Sequence, residues 1–273
     1  MKARDAAAAV RERLAAAGIA DAAFEAEYLV RAAAGLARPA FFANPELPVA
    51  VIDAIDASVA RRQAREPAPY ITGRREFWGL DFAVGPGVLV PRPETELLVE
   101  IAVAETRGLE RAVVADIGTG SGCIAIAVAT EVPGAAVVAT DISAEALAVA
   151  SQNARYHRAR VSFLRADLAA PIGRADVVVA NLPYIATEEI DALEPEVSRW
   201  EPRIALDGGG DGFDLIRRLV ADCAQRLRPR LLALEVGYGM ATTASAVAAG
   251  QGAAVVLAKD LAGIDRVVCC RWP

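Results

Sequence analysis

The chain has 273 residues and a mass of 28.5 kDa, and 55% of its residues are hydrophobic and 23% charged. This composition fits one large domain, or a large and a small one, and excludes a disordered or collagen-like chain. The 29 basic and 35 acidic residues give a net charge of −6, without the basic excess typical of nucleic-acid binders.

Targeting and membrane signals are absent from the sequence pattern. Charged residues interrupt every apolar run, so no segment has the length needed to span a bilayer. Asp5 and Glu12 near the N-terminus do not fit a signal or transit peptide. We expect a cytoplasmic protein that contacts no membrane and binds no nucleic acid directly.

Residues 1–68 are predicted to form a small N-terminal helical domain. Apolar residues recur at helical spacing, Gly18 and Gly35 are expected to end helices, and a further helix is predicted from Val49 to Arg65. Nine basic and nine acidic side chains leave the segment neutral. We interpret it as a module that recognises the substrate.

Residues 69–90 are predicted to form a β-hairpin linker. Aromatic and other apolar residues are interrupted there by glycines, a pattern typical of short strands joined by turns. Pro91 and Pro93 follow, and they predict a helix that begins near Glu94.

Residues 91–273 are predicted to form an α/β domain around a seven-stranded sheet. Near-continuous apolar strands alternate with helices, which indicates a mostly parallel sheet covered on both faces. The last two strands are close enough in sequence to form an antiparallel edge pair. The predicted strands are Ala112–Ile117, Ala136–Ile142, Val161–Ala166, Asp176–Ala180, Leu231–Val236, Ala254–Ala258 and Asp265–Cys270, with helices near 121–131, 144–155, 212–227 and 240–249.

A glycine-rich turn follows the first of these strands. Its residues are Gly118, Thr119, Gly120, Ser121 and Gly122. Doubly wound folds bind nucleotide-like ligands at such a turn. The next residue is a cysteine where the dinucleotide fingerprint has its third glycine, so the spacing differs from that fingerprint. A turn of this kind also occurs for structural reasons alone.

Acidic residues follow the next two strands. Asp141 lies where an acidic side chain accepts hydrogen bonds from ribose hydroxyls, although it could instead cap the following helix. Asp167 could accept a hydrogen bond from an adenine amino group while Leu168 packs on the ring, or the two could form a surface turn. These positions predict a binding site for an adenosine-containing cofactor.

The tetrapeptide Asn181-Leu182-Pro183-Tyr184 follows the fourth strand. An asparagine close to a proline at the end of a strand is compatible with a simple turn. It also suits catalysis on an amide or exocyclic amine, because Asn181 Oδ1 and the Leu182 carbonyl can accept both N–H bonds and position the nitrogen. Pro183 would stiffen the turn, and Tyr184 would offer a flat surface for a planar group. With one histidine, His157, and no CxxC spacing, we predict no metal site.

These motifs, with several others, resemble the PrmC/HemK family of bacterial protein-(glutamine-N5) methyltransferases, which modify peptide chain release factors. The resemblance covers nearly the whole chain, and its most specific marks lie in the linker and at Pro91–Glu96. The mark in the linker is Tyr70–Trp78, and the further marks are Glu201-Pro202, Gly208–Gly212, Glu235-Val236-Gly237 and Asp260–Arg266. The motifs leave the roles of Glu201, Asp211 and Glu235 open.

The resemblance implies five N-terminal helices, a hairpin linker and a Rossmann-like class I methyltransferase domain with seven strands. It implies methyl transfer from S-adenosylmethionine (SAM), with S-adenosylhomocysteine as product, to the glutamine side chain of a release factor's Gly-Gly-Gln motif. By position, Gly118–Gly122, Asp141, Asp167, Leu168 and Asn181 would hold SAM. The residues Asn181 to Tyr184 would hold the glutamine. Many members of the family have proline where this chain has Leu182.

Two other functions are compatible with parts of the sequence. Asn-Leu-Pro-Tyr also occurs in adenine-N6 methyltransferases that act on ribosomal RNA, where the same acceptors would hold the adenine amine. The neutral N-terminal segment, the acidic net charge and the family-specific linker disfavour that alternative. A catalytically silent SAM-binding protein is a third alternative, which the intact Asp141, Asn181 and Tyr184 disfavour.

Overall fold

The computed structural model describes all 273 residues, Met1–Pro273, in two compact units. The first unit contains Met1–Arg74 and Glu194–Trp200, and the second contains Arg75–Leu193 and Glu201–Pro273. The segment 194–200 therefore belongs to the first unit although the surrounding sequence belongs to the second. No helix combines the length and apolarity that crossing a bilayer requires.

Residues 1–73 of the first unit form five helices, as the resemblance implied, and the segment 194–200 adds a short sixth helix to this unit. In the first helix the buried residues Ala3, Ala6, Val10 and Leu14 recur every three or four positions, so they form one apolar stripe. The second helix ends at Gly35, whose φ of 63° supplies the left-handed residue that closes many helices. The helices are α1 (Ala3–Ala16), α2 (Ala22–Ala34), α3 (Arg38–Phe42), α4 (Val49–Gln63) and α5 (Ala68–Thr72).

Ion pairs of a buried arginine hold the segment 194–200 in the first unit. Arg62 is 4% exposed and bonds to the carboxylates of Glu25 and Glu196. Arg65 also bonds to Glu196, at 2.8 Å. Because removing one partner of a buried ion pair leaves an uncompensated charge, these contacts fix the segment in place.

The second unit begins with the predicted hairpin, formed by β1 (Arg74–Phe77) and β2 (Leu80–Ala83). Trp78 and Gly79 connect the strands with φ angles of 55° and 67°, the positive pair that a tight two-residue hairpin turn uses. Phe77 and Phe82 are buried and their rings meet edge to face. The hairpin is therefore packed into a core.

All seven predicted strands of the α/β sheet are confirmed, and each differs from its prediction by one residue at one end. The remaining helices are α6 (Glu96–Thr106), α7 (Cys123–Glu131), α8 (Ala144–His157), α9 (Pro195–Ser198, which belongs to the first unit), α10 (Asp214–Asp222, continued by a π-helix over Cys223–Leu227) and α11 (Ala241–Gly250). The strands are β3 (Val113–Ile117), β4 (Ala136–Asp141), β5 (Val161–Arg165), β6 (Val177–Ala180), β7 (Leu231–Glu235), β8 (Ala254–Lys259) and β9 (Asp265–Arg271).

The strand order is β5-β4-β3-β6-β7-β9-β8, and β9 is antiparallel to both of its neighbours. The last two strands form the antiparallel pair predicted at the edge of the sheet, with β8 as the outermost strand. Successive residues of the central strands enter cores on opposite faces, such as Val114 on one face and Ala115 on the other. The chain reverses its winding direction at β3, between β4 and β6, and in open α/β sheets ligands bind at this switch point beyond the strands' carboxyl ends.

Candidate active site

The glycine turn after β3 approaches β4 closely. Gly118 N and Thr119 N both donate to the Thr140 carbonyl at 2.9 Å, and Gly118 and Gly120 have φ angles of 74° and 55°. Gly122 also has a positive φ, 83°, and in addition a Cβ there would lie 3.0 Å from the Ala150 side chain. All three glycines therefore shape the turn, and the third also lets α7 and α8 pack.

Asp116 lies in β3 directly beneath this turn and is fully buried. Its Oδ2 accepts hydrogen bonds from Thr119 Oγ1 at 2.6 Å and from Ala125 N, in the first turn of α7, at 3.2 Å. Its Oδ1 has no partner. Burial raises the pKa of this carboxyl to about 7, against the opposing effect of the two hydrogen bonds.

Asp141, at the end of β4, is held by two backbone groups. Gly120 N donates to its Oδ2 and Ser143 N donates to its Oδ1, both at 2.9 Å. Ser143, rather than Asp141, caps α8 by accepting a bond from Ala146 N. A carboxylate oxygen has further lone pairs, so both oxygens can still accept hydrogen bonds from a ligand.

Asp167 and Leu168 form a constrained turn after β5. Leu168 has a φ of 49°, an unusual conformation for a bulky residue, and its carbonyl accepts a bond from Thr140 Oγ1 at 2.9 Å. Asp167 Oδ2 accepts a bond from Arg218 in α10 at 2.6 Å. The sequence did not predict this ion pair, because its partners are 51 residues apart.

The Asn181–Tyr184 turn follows β6. Asn181 Nδ2 donates to Thr95 Oγ1 at 3.1 Å, while Asn181 Oδ1 and the Leu182 carbonyl accept no hydrogen bond from the protein. The Leu182 side chain is buried beside Gly118, so it joins this turn to the glycine turn. Tyr184 packs next to Gly237. Burial, with the nearby negative charge of Glu235 as a smaller effect, raises the Tyr184 pKa to about 12.

One cavity of about 570 Å³ brings most of the predicted residues together. This volume lies within the range of small-molecule sites. Gly122 and Tyr184 do not line it, so the contact of Tyr184 with a substrate stays a prediction. The predicted residues that line the cavity are Gly118, Thr119, Gly120, Ser121, Asp141, Asp167, Leu168, Asn181, Leu182 and Pro183.

Other cavity walls come from segments that sequence reasoning did not assign to the site. Residues 87–89 of the predicted linker, the motif residues Arg92 and Thr95, and residues 202–205 line the cavity. Arg92 bonds to the buried carboxylate of Glu201 at 2.6 Å, which ties two of these segments together. Arg92 and Glu201 both lie in motifs that carry the family resemblance, and this was the sequence signal that could have assigned them to the site.

The backbone of the glycine-rich segment 208–212 packs closely against the Asn181–Tyr184 turn. Ile185 N donates to the Leu206 carbonyl at 3.0 Å, and Gly208 N donates to the Ile185 carbonyl at 2.8 Å. A Cβ on Gly208 would lie 2.7 Å from Tyr184 Cα and 2.8 Å from the Pro183 carbonyl oxygen. Only glycine lets these two backbone segments approach so closely.

We therefore expect Gly208→Ala to destabilise the protein, because the new methyl group must push the Pro183–Tyr184 backbone away. Overpacking of this kind costs about 1–3 kcal/mol of the free energy of unfolding. Gly210→Ala is the matched control, since a Cβ there meets nothing within 4 Å. Urea unfolding measures both variants, and an equal free energy of unfolding for the two would contradict the close approach.

Two family models and several solved structures define the class of the chain. The PrmC N-terminal domain model matches residues 5–73, and the Methyltransferase small domain model matches residues 93–195. The catalytic domain of hMettl16, in complex with MAT2A 3′UTR hairpin 6, aligns with a TM-score of 0.58 and 15% identity over 81% of this chain and 82% of that one. A methyltransferase from Pyrococcus furiosus aligns with a TM-score of 0.51 and 18% identity over 80% and 98%. The fold and the matched domain are those of a methyltransferase.

Curated relatives define the family. The release factor glutamine methyltransferase of Geobacter sulfurreducens is 44% identical over 94% of this chain and 92% of its own length. The same enzyme of Cereibacter sphaeroides is 44% identical over 100% and 99%. The chain belongs to the family of release factor glutamine methyltransferases and is an enzyme, which confirms the resemblance based on its motifs.

Proposed function

We propose that this protein transfers the methyl group of SAM to the side-chain amide nitrogen of the glutamine in the Gly-Gly-Gln motif of a peptide chain release factor. The observation that carries the proposal is the 44% identity to release factor glutamine methyltransferases along nearly the full length of both chains. The predicted cytoplasmic location, where release factors act on the ribosome, is part of this proposal.

The volume of the cavity and its polar lining groups support the proposal that it binds SAM. The glycine turn brings backbone close to the cavity, and both Asp141 oxygens retain lone pairs there. Leu168 supplies an apolar wall beside Asp167. In this proposal Asp141 binds the ribose hydroxyls, Leu168 packs on the adenine, and the glycine turn, with Thr119 and Ser121, accommodates the remainder. When bound, SAM supplies a methyl group on an electrophilic sulfonium.

The Asn181–Tyr184 turn would hold the glutamine. Asn181 Oδ1 and the Leu182 carbonyl have no protein partners, so each can accept one N–H bond of the substrate amide. This arrangement fixes the nitrogen of a weak nucleophile toward the methyl donor and needs no ionising base. As the new bond from this nitrogen to the methyl carbon forms, the carbon–sulfur bond of SAM would break, its electron pair would stay on sulfur and S-adenosylhomocysteine would leave. The excess proton of the nitrogen would leave to water. In this proposal Pro183 stiffens the turn, and Tyr184 confines the amide plane.

The proposal is tested by locating the transferred methyl group. The protein is incubated with isotope-labelled SAM and either a release factor or ribosomal RNA, and mass spectrometry identifies the labelled residue. Label on the glutamine of the Gly-Gly-Gln motif is the expected result. Label on adenine, with the glutamine unlabelled, would replace the proposal by the adenine-N6 alternative.

For Asp141, we expect the Asp141→Ala variant to bind S-adenosylhomocysteine more weakly. The substitution removes charged hydrogen bonds worth about 1.5–3 kcal/mol, which corresponds to roughly a 10- to 150-fold loss of affinity. Calorimetric titration measures the dissociation constant. Asp167→Ala is a comparison variant whose carboxylate is already paired with Arg218, and it should lose less. An unchanged dissociation constant in folded Asp141→Ala would remove this residue from the site.

The helical unit is, in this proposal, the module that recognises the release factor. Its residues 1–68 are electrically balanced, which suits a protein surface better than a phosphate backbone. We expect the affinity of the full chain for a release factor to change little between roughly 50 and 200 mM salt, whereas a binder of 6–10 phosphates loses about 10³–10⁵. A loss of that size for the release factor would contradict the proposal.

A further inference from the structure

Behind the Asn181–Tyr184 turn lies a buried carboxyl group that the mechanism above does not use. Glu235 ends β7, and it is 3% exposed. Ala180 pairs with Leu234 in the parallel β6–β7 ladder, so Asn181 and Glu235 leave neighbouring strands side by side. Thr95 Oγ1 accepts the bond from Asn181 Nδ2 at 3.1 Å. Glu235 Oε2 is buried without a hydrogen-bond partner, and the Thr95 hydroxyl is close enough to oppose the rise of the Glu235 pKa.

We propose that Glu235 and Thr95 are positioning residues that fix the orientation of the Asn181 amide. The proposal rests on the function proposed above, because it assigns the reason why the oxygen of Asn181, rather than its nitrogen, faces the substrate. Neither residue touches the reacting atoms in this proposal. Both act through Asn181.

The direction of the hydrogen bonds carries the inference. A threonine hydroxyl has a single proton, and an ionised carboxylate can only accept. We infer that the Thr95 hydroxyl directs its proton to the unpartnered Glu235 carboxylate, which leaves Thr95 Oγ1 with only lone pairs for Asn181. Asn181 must then turn its NH₂ group toward Thr95, and its Oδ1 faces the cavity as an acceptor. Without the carboxylate, Thr95 could donate to Oδ1, and the amide would turn its NH₂ group toward the substrate's own N–H groups.

The protonation of Glu235 should therefore control this orientation. Burial raises the Glu235 pKa to about 7, and the Thr95 hydroxyl and the positive charge of Arg266 oppose that rise. A protonated Glu235 can donate to Thr95 Oγ1 and free the Thr95 proton for Asn181. The other charged or titratable groups around Glu235 are Glu94 and Arg92 before α6, Tyr184 after β6 and Cys123 in α7.

The orientation can be measured without substrate or cofactor. The chain has three asparagines, Asn44, Asn153 and Asn181. Protein labelled with ¹⁵N-asparagine thus gives three side-chain NH₂ signals, and Asn181→Ala assigns one of them. We expect that signal to shift between about pH 6 and 8 in the native protein and not in Glu235→Gln, and to exchange its protons with water faster in Thr95→Val. An Asn181 signal that is equally pH-dependent in Glu235→Gln would overturn the proposal.

Methyl transfer provides the second measurement. Thr95→Val should slow single-turnover transfer roughly 5- to 100-fold, with little change in the dissociation constant for S-adenosylhomocysteine, because a required hydrogen-bond partner is lost. Thr95→Ser keeps the hydroxyl and should restore most of the rate. Thr106→Val is the matched control: Thr106 is also buried, and it bonds only to the Ala102 carbonyl within α6.

A double substitution separates positioning from general structural damage. In the Asn181→Ala background, Thr95→Val should slow transfer by less than about twofold, since residues that act through one group are not additive. An equal loss in both backgrounds would overturn the proposal. The NMR measurement needs no acceptor, so it decides the inference even if the methylated residue is not the release-factor glutamine. If Thr95→Val does not fold, the pH titration of the native protein and Glu235→Gln decides it.

Discussion

Replacing Asn181 with alanine is expected to lower the rate of methyl transfer by roughly 10²- to 10³-fold. An amide nitrogen is a weak nucleophile, so the rate depends on how well its two N–H bonds are held. Loss of one preorganised hydrogen-bond partner in an active site costs about 2.7–4 kcal/mol in other enzymes. The Leu182 carbonyl would remain as the only acceptor in the turn.

Single-turnover transfer to a release factor measures this effect apart from product release. Titration with S-adenosylhomocysteine is the control, because the glycine turn and Asp141 are unchanged and should keep most of the affinity. A variant that binds the product as the native protein does, yet transfers the methyl group slowly, is the expected outcome. Transfer at nearly the native rate by Asn181→Ala would show that the amide is positioned by other groups.

The fold was predictable from the sequence because its signals are local. Buried strands are continuous apolar runs, and the strand ends followed from the polar and glycine residues after them. The position of β9 between β7 and β8 was not predictable in this way. Closeness in sequence indicates that β8 and β9 pair, but it does not determine which of them also bonds to β7.

The candidate site was predictable where its residues directly follow strands. Asp141, Asp167 and Asn181 converge because the carboxyl ends of parallel strands share one edge of the sheet. The hydrogen bonds that orient them were not predictable, since they join residues far apart in the chain, such as Thr95 with Asn181 and Arg92 with Glu201, separated by 86 and 109 residues. Only packing of the whole domain brings such pairs together.

For Asp116, we expect the stability advantage of Asp116→Asn over the native protein to grow as the pH rises from about 4 to 7. The folded protein holds the Asp116 proton with a pKa of about 7, because the group is buried, whereas the ordinary value is 3.8. Below the ordinary pKa the group is neutral in both the folded and the unfolded chain. As the pH rises, the unfolded chain releases its proton first, so native stability falls until the folded group also ionises near pH 7. The difference in pKa corresponds to about 4 kcal/mol.

Urea unfolding of both proteins at several pH values measures this contribution. Asparagine has no proton to lose, so the variant lacks the penalty, and its Oδ1 can still accept the bonds from Thr119 and Ala125. Glu235, whose pKa is also raised to about 7, is present in both proteins and cancels in the comparison. The difference in the free energy of unfolding should grow between about pH 4 and 7 and level off above. A constant difference in the free energy of unfolding across this range would mean that Asp116 ionises as readily in the folded protein as in the unfolded chain. Water would then have to solvate Asp116 Oδ1, which has no protein partner.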